Sequence, residues 1–147
     1  MPVFIEEVAF GSTNYKTLLK LRHEVLRKPL SLELSGKDTA TDDKEFHIAA
    51  FENESPIGCV LLRPISADTI KLRQMAVSDA YQGIGVGAKL VRYAEALAAT
   101  RGFKTMEMHA RKSAQGFYEK LGYVVEGDEF IEATVPTIKM RKPLKTS

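Results

Sequence analysis

A chain of 147 residues with 44% hydrophobic content has enough apolar material for a single domain over 1–147 with a real core, and too much for a disordered chain. Its 21 basic and 19 acidic residues leave a formal charge of +2, which argues against a dedicated nucleic-acid binder. The lone cysteine, Cys59, cannot form an internal disulfide, so nothing in the composition calls for an oxidising compartment.

The start, Met1 to Glu7, lacks the charged residues and apolar stretch of a signal peptide. No apolar run is long enough for a bilayer-spanning helix. The expectation is a soluble, cytoplasmic protein with no membrane partner. The first strand is expected over Val3 to Glu7. Ser12 or Thr13 can cap a helix to about Arg27, with Tyr15, Leu18, Leu19, Val25 and Leu26 near helical spacing; Pro29 stops it. Lys28 to Glu45 is polar, without clear periodicity, and reads as a long loop.

Three strands follow. Phe46 to Phe51 and Ile57 to Arg63 form a hairpin around Asn53-Glu54-Ser55-Pro56. Cys59 lies in the second of these and reads as a small core residue, with no activating neighbour nearby. Asp68 to Val77 is the third strand. A glycine-rich turn, Gln82-Gly83-Ile84-Gly85-Val86-Gly87, then opens a helix from about Gly85 to Arg101, with Val86, Leu90, Tyr93, Ala94 and Leu97 on one stripe. Lys104 to Ala110 is a strand, and Lys112 to Leu121 a helix with Ala114, Phe117, Tyr118 and Leu121 at i, i+3, i+4 and i+7. Short strands at Tyr123 to Val125 and Thr134 to Met140 close the domain, and a basic tail runs on to Lys145. The order β-α-β-β-β-α-β-α-β-β describes a mixed sheet flanked by helices, in the α/β or α+β class.

The glycine turn carries the first chemical signal. The first N–H groups of a helix have no intrahelical partner and sit at the positive end of its dipole. Glycines let phosphates approach them. A Walker A loop is excluded because Gly87 is followed by Ala88-Lys89-Leu90. The G-x-G-x-G spacing also fails the dinucleotide fingerprint. A tight strand-to-helix connection is the plain structural alternative.

The pattern Gln-x-x-Gly-x-Gly resembles the pyrophosphate-binding motif of the GNAT superfamily of acetyltransferases. Three further segments resemble the same family in the right order. Leu72-Arg73-Gln74-Met75-Ala76-Val77 is similar to its fourth strand. Ala114 to Tyr123 is similar to its A-x-x-F-Y-E-K-L-G-F/Y motif, and Leu21-Arg22-His23-Glu24-Val25-Leu26 to its first helix. Arg22 to Pro29 and Gly127 to Met140 resemble a subgroup of small, poorly characterised bacterial members.

The resemblance implies a fold and a reaction. The fold is a central mixed, mostly antiparallel sheet of six to seven strands flanked by helices, with the fourth and fifth strands splayed. The reaction is transfer of an acetyl group from acetyl-CoA, as cosubstrate, to a primary amine of a small molecule or peptide by direct attack in a ternary complex. No metal is expected, and a homodimer is compatible with the family. Pyrophosphate would lie on the amides of Gln82, Gly83, Ile84, Gly85, Val86, Gly87 and Ala88, and the pantetheine arm along Met75, Ala76 and Val77. Phe117 and Tyr118 would border it. The Val77 amide would donate to the oxyanion, and Tyr118 would protonate the departing thiolate. Two positions depart from the family: Arg111 stands for an asparagine, where it would contact a cofactor phosphate or the pantetheine region, and Thr137 for a histidine. The general base is therefore open between Glu129, Glu132 and His109, with His47 and His23 less well placed and a water chain as another route. Glu33, Asp38, Asp42, Asp43, Glu126, Asp128, Glu129 and Glu132 would favour a cationic amine if they flank the acceptor. The competing readings are a CoA-binding sensor or interaction module with weak turnover, and a nucleotide-binding regulatory domain.

Overall fold

The computed structural model describes residues 2–145. Its strands are β1 (Val3–Val8), β2 (Phe46–Glu52), β3 (Ser55–Pro64), β4 (Thr69–Val77), β5 (Thr105–Arg111), β6 (Val124–Glu132) and β7 (Val135–Pro143). Its helices are α1 (Thr13–Arg22), the short α2 (Gly36–Thr39), α3 (Val86–Thr100) and α4 (Gln115–Lys120). The strands form one seven-stranded sheet in the order β1-β2-β3-β4-β5-β7-β6. Every neighbouring pair is antiparallel except β4 and β5, which are parallel.

Two apolar layers sandwich this sheet. α3 buries Val86, Leu90, Val91, Ala94 and Ala98 against Ile48, Val60, Leu62, Ile70 and Leu72. α1 covers the opposite face, where Tyr15 and Leu18 pack with Ala49, Phe51, Cys59 and Ala76. Alternate residues of a strand point to opposite faces, so β2 and β3 are largely apolar on both, as a doubly covered sheet requires, whereas β4 sets Ile70 and Leu72 toward α3 and Lys71 and Arg73 toward the other face. Each fully buried large aliphatic chain stabilises the fold by about 1.5–3 kcal/mol. No helix among the described residues is long and apolar enough to cross a membrane.

Pairing between the two parallel strands stops partway along them. β4 and β5 are in register only from Thr69↔Thr105 to Leu72↔Met108. Beyond that, β4 runs on to Val77 and β5 to Arg111 without pairing. The β3–β4 register shifts between Cys59 and Leu61, and Gln74 takes a left-handed φ of 53° there. This bulge bends β4 away from its parallel neighbour.

Several boundaries differ from the sequence expectation. Regular α-helix ends at Arg22, and His23–Arg27 is wound one residue wider per bond, with the Lys28 N–H reaching the His23 carbonyl. The segment from Lys28 to Glu45 is not an open loop. It holds α2 and short 3-10 turns, and Asp42 inside it is fully buried. α4 is shorter than expected because Lys112–Ala114 forms a 3-10 turn ahead of it. β6 extends through the acidic stretch to Glu132, with a bulge around Gly127 (φ 83°). The basic tail is no solvated end: it is the last part of β7, where Arg141 and Lys139 pair with Glu126 and Lys142 pairs with Glu95. Cross-strand pairing with Glu126 of the edge strand β6 lets β7 carry this polar sequence.

Candidate active site

A cleft of about 1560 Å³ opens along the gap between β4 and β5. At one end lies the glycine turn. Gly83 and Gly85 have φ of 81° and 91°, which L-residues with side chains rarely adopt. The first intrahelical bond of α3 is Lys89 N–H to the Gly85 carbonyl. The N–H groups of Val86, Gly87 and Ala88 therefore lack helical partners, at the positive end of a 15-residue helix. A Cβ on Gly87 would stand 3.3 Å from the Phe117 ring, so glycine there lets α4 close against α3. The Gln82 side chain donates to the Val77 carbonyl (2.9 Å) and to Asp79 (3.2 Å), which ties the turn to the end of β4. Ile84 is 65% exposed and is not part of the cleft lining, unlike Gly83 and Gly85 on either side of it.

The middle of the cleft is backbone and one phenol. Ser78 N–H bonds to Ile57 of β3 (2.8 Å). Peptide groups alternate sides along a strand, so the Val77 N–H points the other way, into the gap, and Met75 shares that side. Ala76 does not: it pairs with Cys59 of β3 and is buried, so the expected pantetheine contact at Ala76 reduces to Met75 and Val77. Tyr118 lines the cleft from α4, buried to 6% exposure between Phe117 and Tyr123. Burial pushes its phenol up to about 12, and no side chain offsets that. Tyr118 thus keeps its proton well past the ordinary thiol range near ~8.5. Cys59, fully buried, has its thiol pushed up to about 12, chiefly by desolvation, which removes it as a nucleophile.

On the α1 side of the gap the structure gathers His109, Glu132 and Lys71. His109 Nδ1 lies 3.1 Å from Glu132 Oε1 and 3.3 Å from Lys71 Nζ. One nitrogen cannot donate to the carboxylate and accept from the ammonium together, so the tautomer selects the partner. Burial lowers the Lys71 ammonium below its ordinary range, with Glu132 pulling the other way. Thr137 is buried in the same wall, its hydroxyl donating to the Val135 carbonyl (3.0 Å). Glu129 is not brought in: it pairs with Lys112 at the surface (3.6 Å), apart from the cleft lining, which withdraws it as a base. His47 bonds to the Asp42 carbonyl, and His23 sits by Leu34 and Glu33.

The acidic loop residues also have other work. Asp42 accepts from Arg22 (2.6 Å) and Tyr15 (2.7 Å), all three buried. Asp38 is held at both oxygens by Arg27 (2.7 and 3.2 Å). Burial alone would raise the Asp38 carboxyl, but Arg27, the Ser35 amide and Arg22 hold it below its ordinary value. Arg73 pairs with Glu45 at 2.9 Å, an ion pair without hydrogen-bond geometry, and donates to the Asp38 carbonyl (2.6 Å). Arg22 Nε also donates to the Gln74 side chain (3.0 Å), and the Cys59 thiol to the Gln74 carbonyl (3.6 Å). This network pins the β4 bulge and hence the direction of the Val77 amide. It also neutralises Asp38 and Asp42, two of the acids expected to attract a cationic acceptor, while Glu33 and Glu132 stay on the cleft lining.

Lys71, Arg22 and Arg73 were not singled out by sequence reasoning. The signal for Arg22 was present: Tyr15, Leu18 and Arg22 fall at i, i+3 and i+7, which places a cation on an apolar stripe. Among the described residues no group of three or more His, Cys, Asp or Glu is arranged to hold a metal ion.

Residues 14–123 match the family described as Acetyltransferase (GNAT) family. A Bacillus subtilis (strain 168) protein assigned as an acetyltransferase is 32% identical over 114 residues, which are 78% of this chain and 76% of that one. The crystal structure of a Lactobacillus plantarum protein assigned as an N-acetyltransferase superposes with a TM-score of 0.88, at 26% identity over 99% of this chain and 100% of that one. An aminoglycoside 6'-N-acetyltransferase complexed with coenzyme A shares the fold, with a TM-score of 0.81 at 18% identity over 98% of each chain.

Proposed function

The chain belongs to the acetyltransferase (GNAT) family, and from that premise we propose that it transfers acetyl from acetyl-CoA to a primary amine by direct attack in a ternary complex. The observation that carries this reading is the unpaired stretch of β4 and β5 beside the free amides of α3. The residues fit the group. Val86, Gly87 and Ala88 N–H groups, with Gln82, Gly83 and the Ile84 and Gly85 backbone around them, would hold a pyrophosphate. Met75 and Val77 would bond an extended arm as an added strand does, with Phe117 packed alongside. A same-fold neighbour with coenzyme A bound supports the choice of cosubstrate.

Bound acetyl-CoA supplies an acyl carbon activated as a thioester. The Val77 N–H, turned into the gap, would donate to the carbonyl oxygen as charge develops on it. Tyr118, buried in the cleft wall, would give its proton to the departing sulfur. Burial keeps its phenol protonated but makes it the weaker acid, so proton transfer would be driven only where the same burial also raises the thiolate. Glu132 and His109 take the proton lost by the amine, directly or through water. No covalent enzyme intermediate is required, which agrees with a fully buried Cys59.

Calorimetry with acetyl-CoA, CoA and ATP tests the reading, followed by thiol release over a panel of amines. CoA and acetyl-CoA should bind and ATP should not, with thiol released only when amine is present. Binding of ATP without CoA would overturn the proposal. CoA binding without release over any amine would leave a sensor or interaction module.

A further inference from the structure

The cations of the cleft are not equally matched. Arg27 is neutralised by Asp38 and Arg73 by Glu45. Arg111, at the end of β5, is half-buried and has no carboxylate within ion-pair distance among the described residues. Its Nη2 donates to the Leu26 carbonyl (2.8 Å), freed by the widened turn after α1. A guanidinium has five donors in a planar fork, so most of this one's capacity is unspent. Burial, and Arg27 nearby, depress its affinity for its proton. Two residues back on β5, on the same face, His109 contacts Lys71, itself half-buried and sharing the single carboxylate of Glu132.

Desolvated cations without counter-ions are unfavourable unless a ligand supplies the charge. Arg111 bonds toward α1, on the sheet face opposite α3 and its free amides. That direction points away from a pyrophosphate contact and toward the acceptor side. Building on the acetyl-transfer reading above, we propose that the acceptor is an amine that also bears a carboxylate, gripped by Arg111 with Lys71 next along the face. The acceptor's amine then faces the gap between Val77 and Tyr118, and Glu132 with His109 remains free to take its proton. A zwitterionic acceptor, rather than a polycation, matches a wall in which arginines already neutralise the buried acids Asp38, Asp42 and Glu45.

Matched pairs test this: free amino acids against their primary amides, which differ only in the carboxylate. Each pair is titrated into the CoA-saturated protein and, separately, assayed for thiol release from acetyl-CoA. The amides should lose about ten-fold or more in affinity and in kcat/KM. Arg111→Gln should abolish the difference while acetyl-CoA affinity stays within about two-fold, and Arg111→Lys should retain part of it. The proposal is overturned if amides bind and react as well as the acids. It is equally overturned if Arg111→Gln weakens acetyl-CoA as much as the acceptor, which would make Arg111 a cofactor contact. Carboxylate-selective, Arg111-dependent binding without turnover would sustain the subsite and sink the acetyl-transfer reading, so the two fail separately. The wild-type comparison stands even if a variant does not fold.

Discussion

The two walls of the cleft are made of different materials. At the α3 end the groups left free to bind are backbone amides, presented by two left-handed glycines and one helix terminus. At the α1 end the bend of β4 depends on buried side-chain charges, with Arg22, Asp42 and Tyr15 joined to Gln74. A backbone site tolerates side-chain change wherever φ and space allow. A buried ionic site does not, because removing one partner strands the other in a dry environment. The contrast teaches that binding and geometry can be attacked independently.

The largest expected effect comes from the ionic wall. Arg22→Ala leaves Asp42 buried without its guanidinium and should lower unfolding free energy by about 3–5 kcal/mol, measured by urea denaturation. A loss below about 1 kcal/mol would show that water replaces Arg22 and that the network does not hold the bulge. Next is the phenol between the walls. Tyr118→Phe should reduce kcat about 100-fold and leave acetyl-CoA affinity nearly intact. The same variant reports on pH. With its folded value about 12 against the ordinary 10.0, buried Tyr118 contributes stability that is present below pH 10.0 and lost as pH rises toward 12. Tyr15 is raised to about 12 as well, by burial and then by Asp42, so Tyr118→Phe should remove only part of the alkaline destabilisation. Unchanged kcat would remove Tyr118 from the chemistry. The smallest effect belongs to the backbone wall. Gly85→Val meets no atom within 4 Å but forces a branched residue to φ 91°. Acetyl-CoA affinity should fall about ten-fold, with about 1–2 kcal/mol of strain. If affinity holds, the turn is a connection rather than a cradle.

The backbone wall was legible in advance because its function follows from local conformation. Gly83, Gly85 and Gly87 between a strand and a helix already specify free amides in a row. The acceptor wall was not. Asp38 and Asp42 read as loop acids that would favour a cationic amine, and only the fold reveals that Arg27 and Arg22 neutralise them. Glu129 and Glu132 are three residues apart in one acidic stretch. A bulge in β6 and the edge position of that strand send one to Lys112 and the other to His109.

The amino-acid sequence alone determined the order of the seven strands and of the longer helices and the glycine turn, which rest on periodicity and short-range spacing, and its motifs gave the resemblance to the family; α2 was not among them. The tertiary structure decided which charges are spent and which remain. Ion pairing joins residues such as Arg22 and Asp42, or Arg111 and the Leu26 carbonyl, far apart in the chain. Such pairing depends on where burial removes water, and no local pattern encodes that.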